Sequence, residues 1–166
     1  MTRQVTPDQI NSLKPNEVFV FGSNASGFHG AGSAGLACRG DAANTWRTDS
    51  WFLNAMKSHN HSIYRIGYWA VYGISRGHQI GTTGQSYAIE TIKQPGLKRS
   101  TPLSEIALQI KELSDFAIQN PQLTFLVTKI GSSLAGYSLD EIKEQFAGIY
   151  NLPDNIILPK EYEFRE

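Results

Sequence analysis

The chain has 166 residues, 40 % of them hydrophobic and 11 % aromatic, a size and composition that suit one globular domain over residues 1–166. Its 15 Lys and Arg balance 15 Asp and Glu, so it lacks the basic excess of a general nucleic-acid or membrane-surface binder. A lone cysteine, Cys38, excludes an internal disulfide framework, and no apolar run nears the roughly 20 residues of a membrane span.

Neutral charge still leaves room for an anion site made of backbone amides, which carry no formal charge. The opening residues, MTRQVTPDQINSLKPNE, lack the apolar core of a signal peptide. The expected setting is the cytoplasm, a reducing compartment.

Thr6-Pro7 predicts a cap and a first-turn proline, opening a short helix to about Leu13 that Lys14-Pro15-Asn16 stops. Val18 to Phe21 is uniformly apolar and reads as a buried strand. A glycine-bearing loop, residues 22–32, follows it. Ser33 to about Ala43 is rich in small residues and reads as a helix packed closely under that loop. Residues 44–82 form an aromatic-rich variable segment with Trp46, Trp51, Phe52, Tyr64, Tyr68, Trp69 and Tyr72. His59 and His61 lie there in SHNHS, without Cys, Asp or Glu ligands nearby. Neither a metal nor a resident cofactor is expected.

Ser86 to Thr91 alternates and predicts a strand. Thr101-Pro102 again predicts a cap with proline at the first turn. Leu103, Ile106, Ile110, Leu113 and Ala117 follow at helical spacing, so 102–119 is an amphipathic helix. Leu123 to Ile130 predicts a second buried strand, and GSSLAGY, residues 131–137, a second glycine-bearing loop. Ser138 with Glu141 has the spacing of a capping box, with Leu139, Ile142, Phe146 and Ile149 on one face of the helix that follows. Asn155 to Leu158 predicts a last short strand.

Strands and helices in this alternation predict a three-layer α/β/α sandwich with a mostly parallel mixed central sheet. In such sheets ligands sit beyond the carboxyl ends of the strands. The loops 22–32 and 131–137 each follow a strand and precede a helix, which places them at the same sheet edge. Two glycine loops facing each other suit a diphosphate. The competing reading is that Gly27, Gly30, Gly32 and Gly35 only permit a turn and tight helix packing. No GxxxxGK[ST] is present, which disfavours a P-loop enzyme. Gly30, Gly32 and Gly35 match GxGxxG, but neither Asp41 nor Asp49 follows a credible strand, as a Rossmann unit requires.

NASGFHGAGSAGLA resembles the first ligand loop of macrodomains, the ADP-ribose-binding modules, and IGSSLAGY before a capped helix resembles their second. The resemblance spans roughly residues 16–159, with 44–82 only loosely placed. It is closest to a compact branch associated with bacteria and phages. The resemblance implies binding of ADP-ribose or a related NAD-derived nucleotide, with no nucleic-acid patch and no membrane partner. It also implies roles. Asn24 would hydrogen-bond the distal ribose, and Gly30, Ala31 and Gly32 would line the diphosphate and that ribose. Gly131, Ser132, Ser133, Leu134, Ala135 and Gly136 would cradle the diphosphate, and Tyr137 would pack on the distal ribose.

Relatives of the resembled family that hydrolyse ADP-ribose linkages often carry an Asp in the first loop, where this chain has Ala34. The nucleic-acid-directed ones use a second-loop acid, here at the place of Ala135, and a strand lysine, here near Ile92 with Lys93 beside it. Glu90, Lys93 and Lys129 reach the pocket only if the register shifts by one. His29, in the first loop, is the remaining acid–base candidate. Three functions follow as expectations: an ADP-ribose binder, a hydrolase of ADP-ribosyl linkages or of ADP-ribose-1″-phosphate, and a phage or bacterial structural or interaction protein.

Overall fold

The computed structural model describes residues 3–27, 32–39, 65–94 and 96–166. In chain order, β1 is Glu17–Asn24, α1 Gly32–Arg39, β2 Arg65–Ile66, β3 Val71–Tyr72, β4 Gly77–Ile80 and β5 Gln85–Ile92. Then come α2, Leu103–Gln119; β6, Thr124–Val127; α3, Leu139–Ala147; and β7, Ile156–Ile157. Five strands form one sheet in the order β4-β5-β1-β6-β7, and β2 pairs with β3 in a small second sheet. Within the main sheet β5, β1, β6 and β7 run parallel, and only the edge strand β4 is antiparallel.

Side-chain alternation along β1 builds two cores. Val18 and Val20 point to one face, where Ile106, Ile110, Leu113 and Ala117 of α2 and Ile142 and Phe146 of α3 cover them. Phe19 and Phe21 point to the other, where they meet Ala37 and Cys38 of α1, Trp69 and Tyr72. Neighbouring strands keep the same parity: Phe125 and Val127 join the first core, Leu126 the second. This is an α/β fold with flanking helices and a mixed, mostly parallel sheet, as the alternation of elements predicts.

Tyr68, Trp69 and Tyr72, from the far end of the variable segment, belong to the α1-side core. Trp46, Trp51, Phe52 and Tyr64 lie outside the described residues, as do His59 and His61.

Two local expectations are corrected. The helix expected from Pro7 to Leu13 does not form. Thr6 is not a cap: its N–H donates to Leu158 O at 2.9 Å and its hydroxyl to Ile157 O at 2.9 Å. The segment is tied to the end of β7, and Ile10 is buried in the α1-side core. Thr101 does not cap α2 either. Pro102 holds the cap position with no side-chain bond, and Thr101 is fully buried with its carbonyl accepting from the Tyr137 hydroxyl at 2.6 Å. The box at α3 forms as expected: the Ser138 hydroxyl accepts from Glu141 N–H, and the Glu141 carboxylate accepts from Ser138 N–H.

Gln109 was not legible as a structural residue. β4 pairs with β5 only as far as Ala88. Beyond that, the buried Gln109 side chain takes the Glu90 N–H at 2.6 Å and donates to the Glu90 carbonyl at 2.8 Å. A side-chain amide thus stands in for a strand partner, leaving that backbone satisfied.

Candidate functional site

β1 and β6 are adjacent and parallel, so their carboxyl ends share one edge. From β1 the chain passes into α1 on one face, whereas from β6 it passes into α3 on the other. A sheet whose connections part in this way leaves a crevice between the two strand ends, the switch point where α/β sheets bind ligands. Residues 22–27 of the first loop and the second loop, 131–137, lie at or beyond these strand ends. At the floor of the crevice, the hydrogen of Gly22 that a Cβ would replace points toward Thr91 Oγ1, 3.0 Å from the Cβ position, and the Gly131 nitrogen, 3.8 Å from it.

The exit of β1 is tightly built. The β1–β5 register shifts between Ser23 and Asn24, so that Ser23 lies opposite Glu90 and Asn24 opposite Ile92. Such a bulge re-aims the chain at a strand end. Asn24 is buried, and its Oδ1 accepts from the Ser26 hydroxyl at 2.8 Å. Gly27 has φ +70°, and a Cβ there would lie 2.4 Å from the carbonyl carbon of Gly73. Its own carbonyl accepts from Gly73 N–H at 3.0 Å. This glycine is required for packing. His29, Gly30 and Ala31 lie outside the described residues, and Gly32 is the first residue of α1. Ala34, where hydrolytic relatives of the resembled family often carry Asp, is partly buried against the α1-side core.

The exit of β6 differs. Thr128 extends the strand's pairing with both its N–H and its hydroxyl on Val20 O, at 3.1 and 2.8 Å. The loop then closes on itself: Tyr137 N–H donates to Gly131 O at 3.0 Å and Gly136 N–H to Ser133 O at 3.0 Å. Between these anchors, the N–H groups of Gly131, Ser132, Ser133, Leu134 and Ala135 donate to no described residue. Ser133 and Leu134 are exposed, whereas Gly131 and Ala135 are buried. These consecutive N–H groups, framed by left-handed glycines (Gly131 φ +77°, Gly136 φ +88°), are donors of the kind that backbone anion sites use.

The loop's outer side is clamped. Arg99 donates through both terminal nitrogens to the Glu141 carboxylate, at 2.7 and 2.9 Å, and its guanidinium lies 4.8 Å from the centre of the Tyr137 ring. The Arg99 N–H donates to Ala135 O at 2.7 Å. Tyr137 is buried and its hydroxyl is used on Thr101. The Arg99 guanidinium, and then the Ser138 N–H, pull the Glu141 carboxyl down to about 2. The sequence pattern had no signal for this clamp, because GLKRS and SLDE are far apart in the chain.

Among the other acid–base candidates, Lys93 sits 3.0 Å from one carboxylate oxygen each of Glu90 and Glu105. Hydrogen bonds to Glu105 and then Glu90 raise its ammonium above the usual lysine range. Lys129 lies 3.6 Å from Glu161. Among the described residues no group of three or more His, Cys, Asp or Glu is placed to hold a metal ion. No helix of the described residues is long and apolar enough to cross a membrane.

A cavity of about 270 Å³ opens on the α1 side of the switch point, lined among others by Thr6, Ile10, Phe19, Ser33, Thr128 and Lys129. It joins the start of α1 to Val127, Thr128 and Lys129 at the end of β6, and no residue of the second loop lines it. A second cavity of the same size, between β4, β5 and α2, is bordered by the Arg76–Glu112 ion pair at 2.7 Å and lies apart from both loops.

No family model matches the chain, and no curated protein sequence matches it. Among solved structures it is similar to a protein of unknown function from Bacteroides thetaiotaomicron, at 15 % identity and a TM-score of 0.45, over 88 % of this chain and 87 % of that one.

Proposed function

We propose that the crevice between the ends of β1 and β6 binds ADP-ribose or a related NAD-derived diphosphate nucleotide, and that the chain is a macrodomain-like α/β/α sandwich. The observation that carries this reading is the run of N–H groups from Gly131 to Ala135 that donate to no described residue, at the end of β6. A diphosphate supplies acceptors for such a run, and backbone donors bind it without formal charge, in keeping with the neutral composition. The cavity between α1 and the end of β6 gives the rest of a nucleotide a place on the same sheet edge. Asn24 at the bulged end of β1 stands on the opposite wall, where the resemblance puts a contact to the distal ribose.

Binding is favoured over hydrolysis by particular residues. Ala34 and Ala135 bring no carboxylate, and the Lys93 ammonium is already shared between two carboxylates. His29 remains the acid–base candidate of the hydrolytic reading.

Calorimetric titration with ADP-ribose tests the proposal, with Ser133→Glu as the variant that blocks it. A carboxylate on this exposed residue repels the diphosphate from the nest while leaving the core untouched. An exposed substitution of this kind changes stability by no more than about 0.5 kcal/mol. The variant that first suggests itself, Gly131→Glu, is unsuitable. A Cβ at Gly131 meets Ile142 Cδ1 at 2.7 Å, so that change disturbs the fold as well as the loop.

A further inference from the structure

Backbone amides give a diphosphate hydrogen bonds but no full positive charge to set against its own. The strap 96–100, between β5 and α2, lies along the outer wall of the second loop. It is fixed at several points: Lys93 N–H donates to the Ser100 hydroxyl at 2.8 Å, Arg99 N–H to Ala135 O at 2.7 Å, and the Arg99 guanidinium to Glu141. Arg99 is held at φ +56°, a left-handed conformation that non-glycine residues adopt at a cost and keep only where their surroundings fix it. The turn brings the residue before it onto the loop. The stem of Lys98 lies along Gly136, with its Cβ, Cγ and Cδ 2.9, 3.2 and 3.3 Å from where a Gly136 Cβ would be.

Gly136 therefore gives Lys98 its place, and any larger residue there would push the lysine off the loop. Three carboxylates of the adjoining elements are engaged elsewhere, Glu90 and Glu105 by Lys93 and Glu141 by Arg99, whereas Asp140 in the first turn of α3 has no ion pair with a described residue. Lys98 itself is exposed and makes no ion pair with a described residue. We infer that Lys98 is the charged element of the anion site, reaching over the rim at Gly136 to the phosphates held by residues 131–135. The inference rests on the diphosphate reading of this loop and adds a specificity: the site prefers ligands by phosphate charge, so that pyrophosphate alone is a ligand.

The test titrates ADP-ribose and inorganic pyrophosphate into the intact chain, Lys98→Met and Lys98→Arg, each at low and high ionic strength. Methionine keeps most of the stem against Gly136 and removes the charge. Its expected effect is about tenfold weaker binding of both ligands, with most of the salt dependence gone and arginine restoring both. A matched unfolding midpoint shows that the fold is intact; should methionine lower it, Lys98→Gln is read in the same way. Equal affinity and equal salt dependence in the intact chain and Lys98→Met overturn the inference while leaving the nucleotide reading in place. Pyrophosphate binding that responds to Lys98, without ADP-ribose binding, removes the nucleotide reading and keeps the charged site. If the intact chain binds neither ligand, both fall.

Discussion

The two strand exits at the switch point use glycine for different ends. After β1, Gly27 allows two backbones to touch: it sits against Gly73 and Ile74, and no side chain fits between them. After β6, Gly131 and Gly136 frame a loop whose N–H groups from Gly131 to Ala135 donate to no described residue. At Gly27 the exit of β1 is a weld, whereas the loop after β6 is the proposed cradle. A glycine after a strand is thus not by itself the sign of a ligand loop. What separates Gly27 from residues 131–135 is whether the backbone groups engage other described residues.

The largest expected effect is at the weld. Gly27→Ala forces a left-handed alanine into backbone at 2.4 Å, and is expected to destabilise by roughly 2–5 kcal/mol in denaturant unfolding. Gly131→Ala meets side chain rather than backbone, Ile142 Cδ1 at 2.7 Å and Cγ1 at 3.1 Å, so its expected loss is smaller, roughly 1–3 kcal/mol. If Gly131→Ala proves the more damaging of the two, the contrast between weld and cradle fails.

Next comes the clamp behind the cradle. Tyr137→Phe removes the bond to the fully buried Thr101 carbonyl and is expected to lower stability by about 1 kcal/mol, read from the unfolding midpoint. A midpoint equal to that of the intact chain would mean the hydroxyl does not anchor the loop.

The smallest effect is the acid dependence of Glu141. Its folded pKa, about 2, lies below the ordinary 4.5, so its contribution is fully present above pH 4.5 and is lost as pH falls toward 2. The side chain is partly exposed and the pair is screened by solvent, which keeps the effect modest. Glu141→Gln is expected to flatten the stability profile across that window and leave neutral-pH unfolding nearly unchanged. An unaltered acid limb would show that the Arg99 pair does not persist in solution.

Much of the fold was legible because its signals are local and periodic. The α2 stripe of Ile106, Ile110, Leu113 and Ala117, the apolar runs of β1 and β6, and the Ser138 box depend on residues within a turn or a strand of one another. The failures are long-range. Thr6 looks like a helix cap until its partners, Ile157 and Leu158 at the other end of the chain, are in view. Thr101 looks like another, yet its carbonyl serves Tyr137. Gln109 reads as a polar interruption of an apolar stripe, and only the short length of β4 explains why an amide is buried there.

The candidate site divides the same way. That both loops share an edge follows from two strand–loop–helix units in one parallel sheet. The weld at Gly73 and the strap at Lys98 and Arg99 do not, because each joins segments with no local pattern in common. His29, Gly30 and Ala31 stand outside the described residues, so the first wall of the crevice is defined here by Asn24 and Gly27 alone.

The most direct measurement is a calorimetric titration of ADP-ribose into the intact chain and into Ser133→Glu, each shown to be folded by its unfolding midpoint. A nucleotide cradle at residues 131–135 predicts saturable binding of one ligand per chain in the micromolar range or tighter. It predicts a loss of at least about tenfold in the variant, at an unchanged midpoint. No saturable heat from the folded intact chain, or equal binding by both proteins, would contradict it.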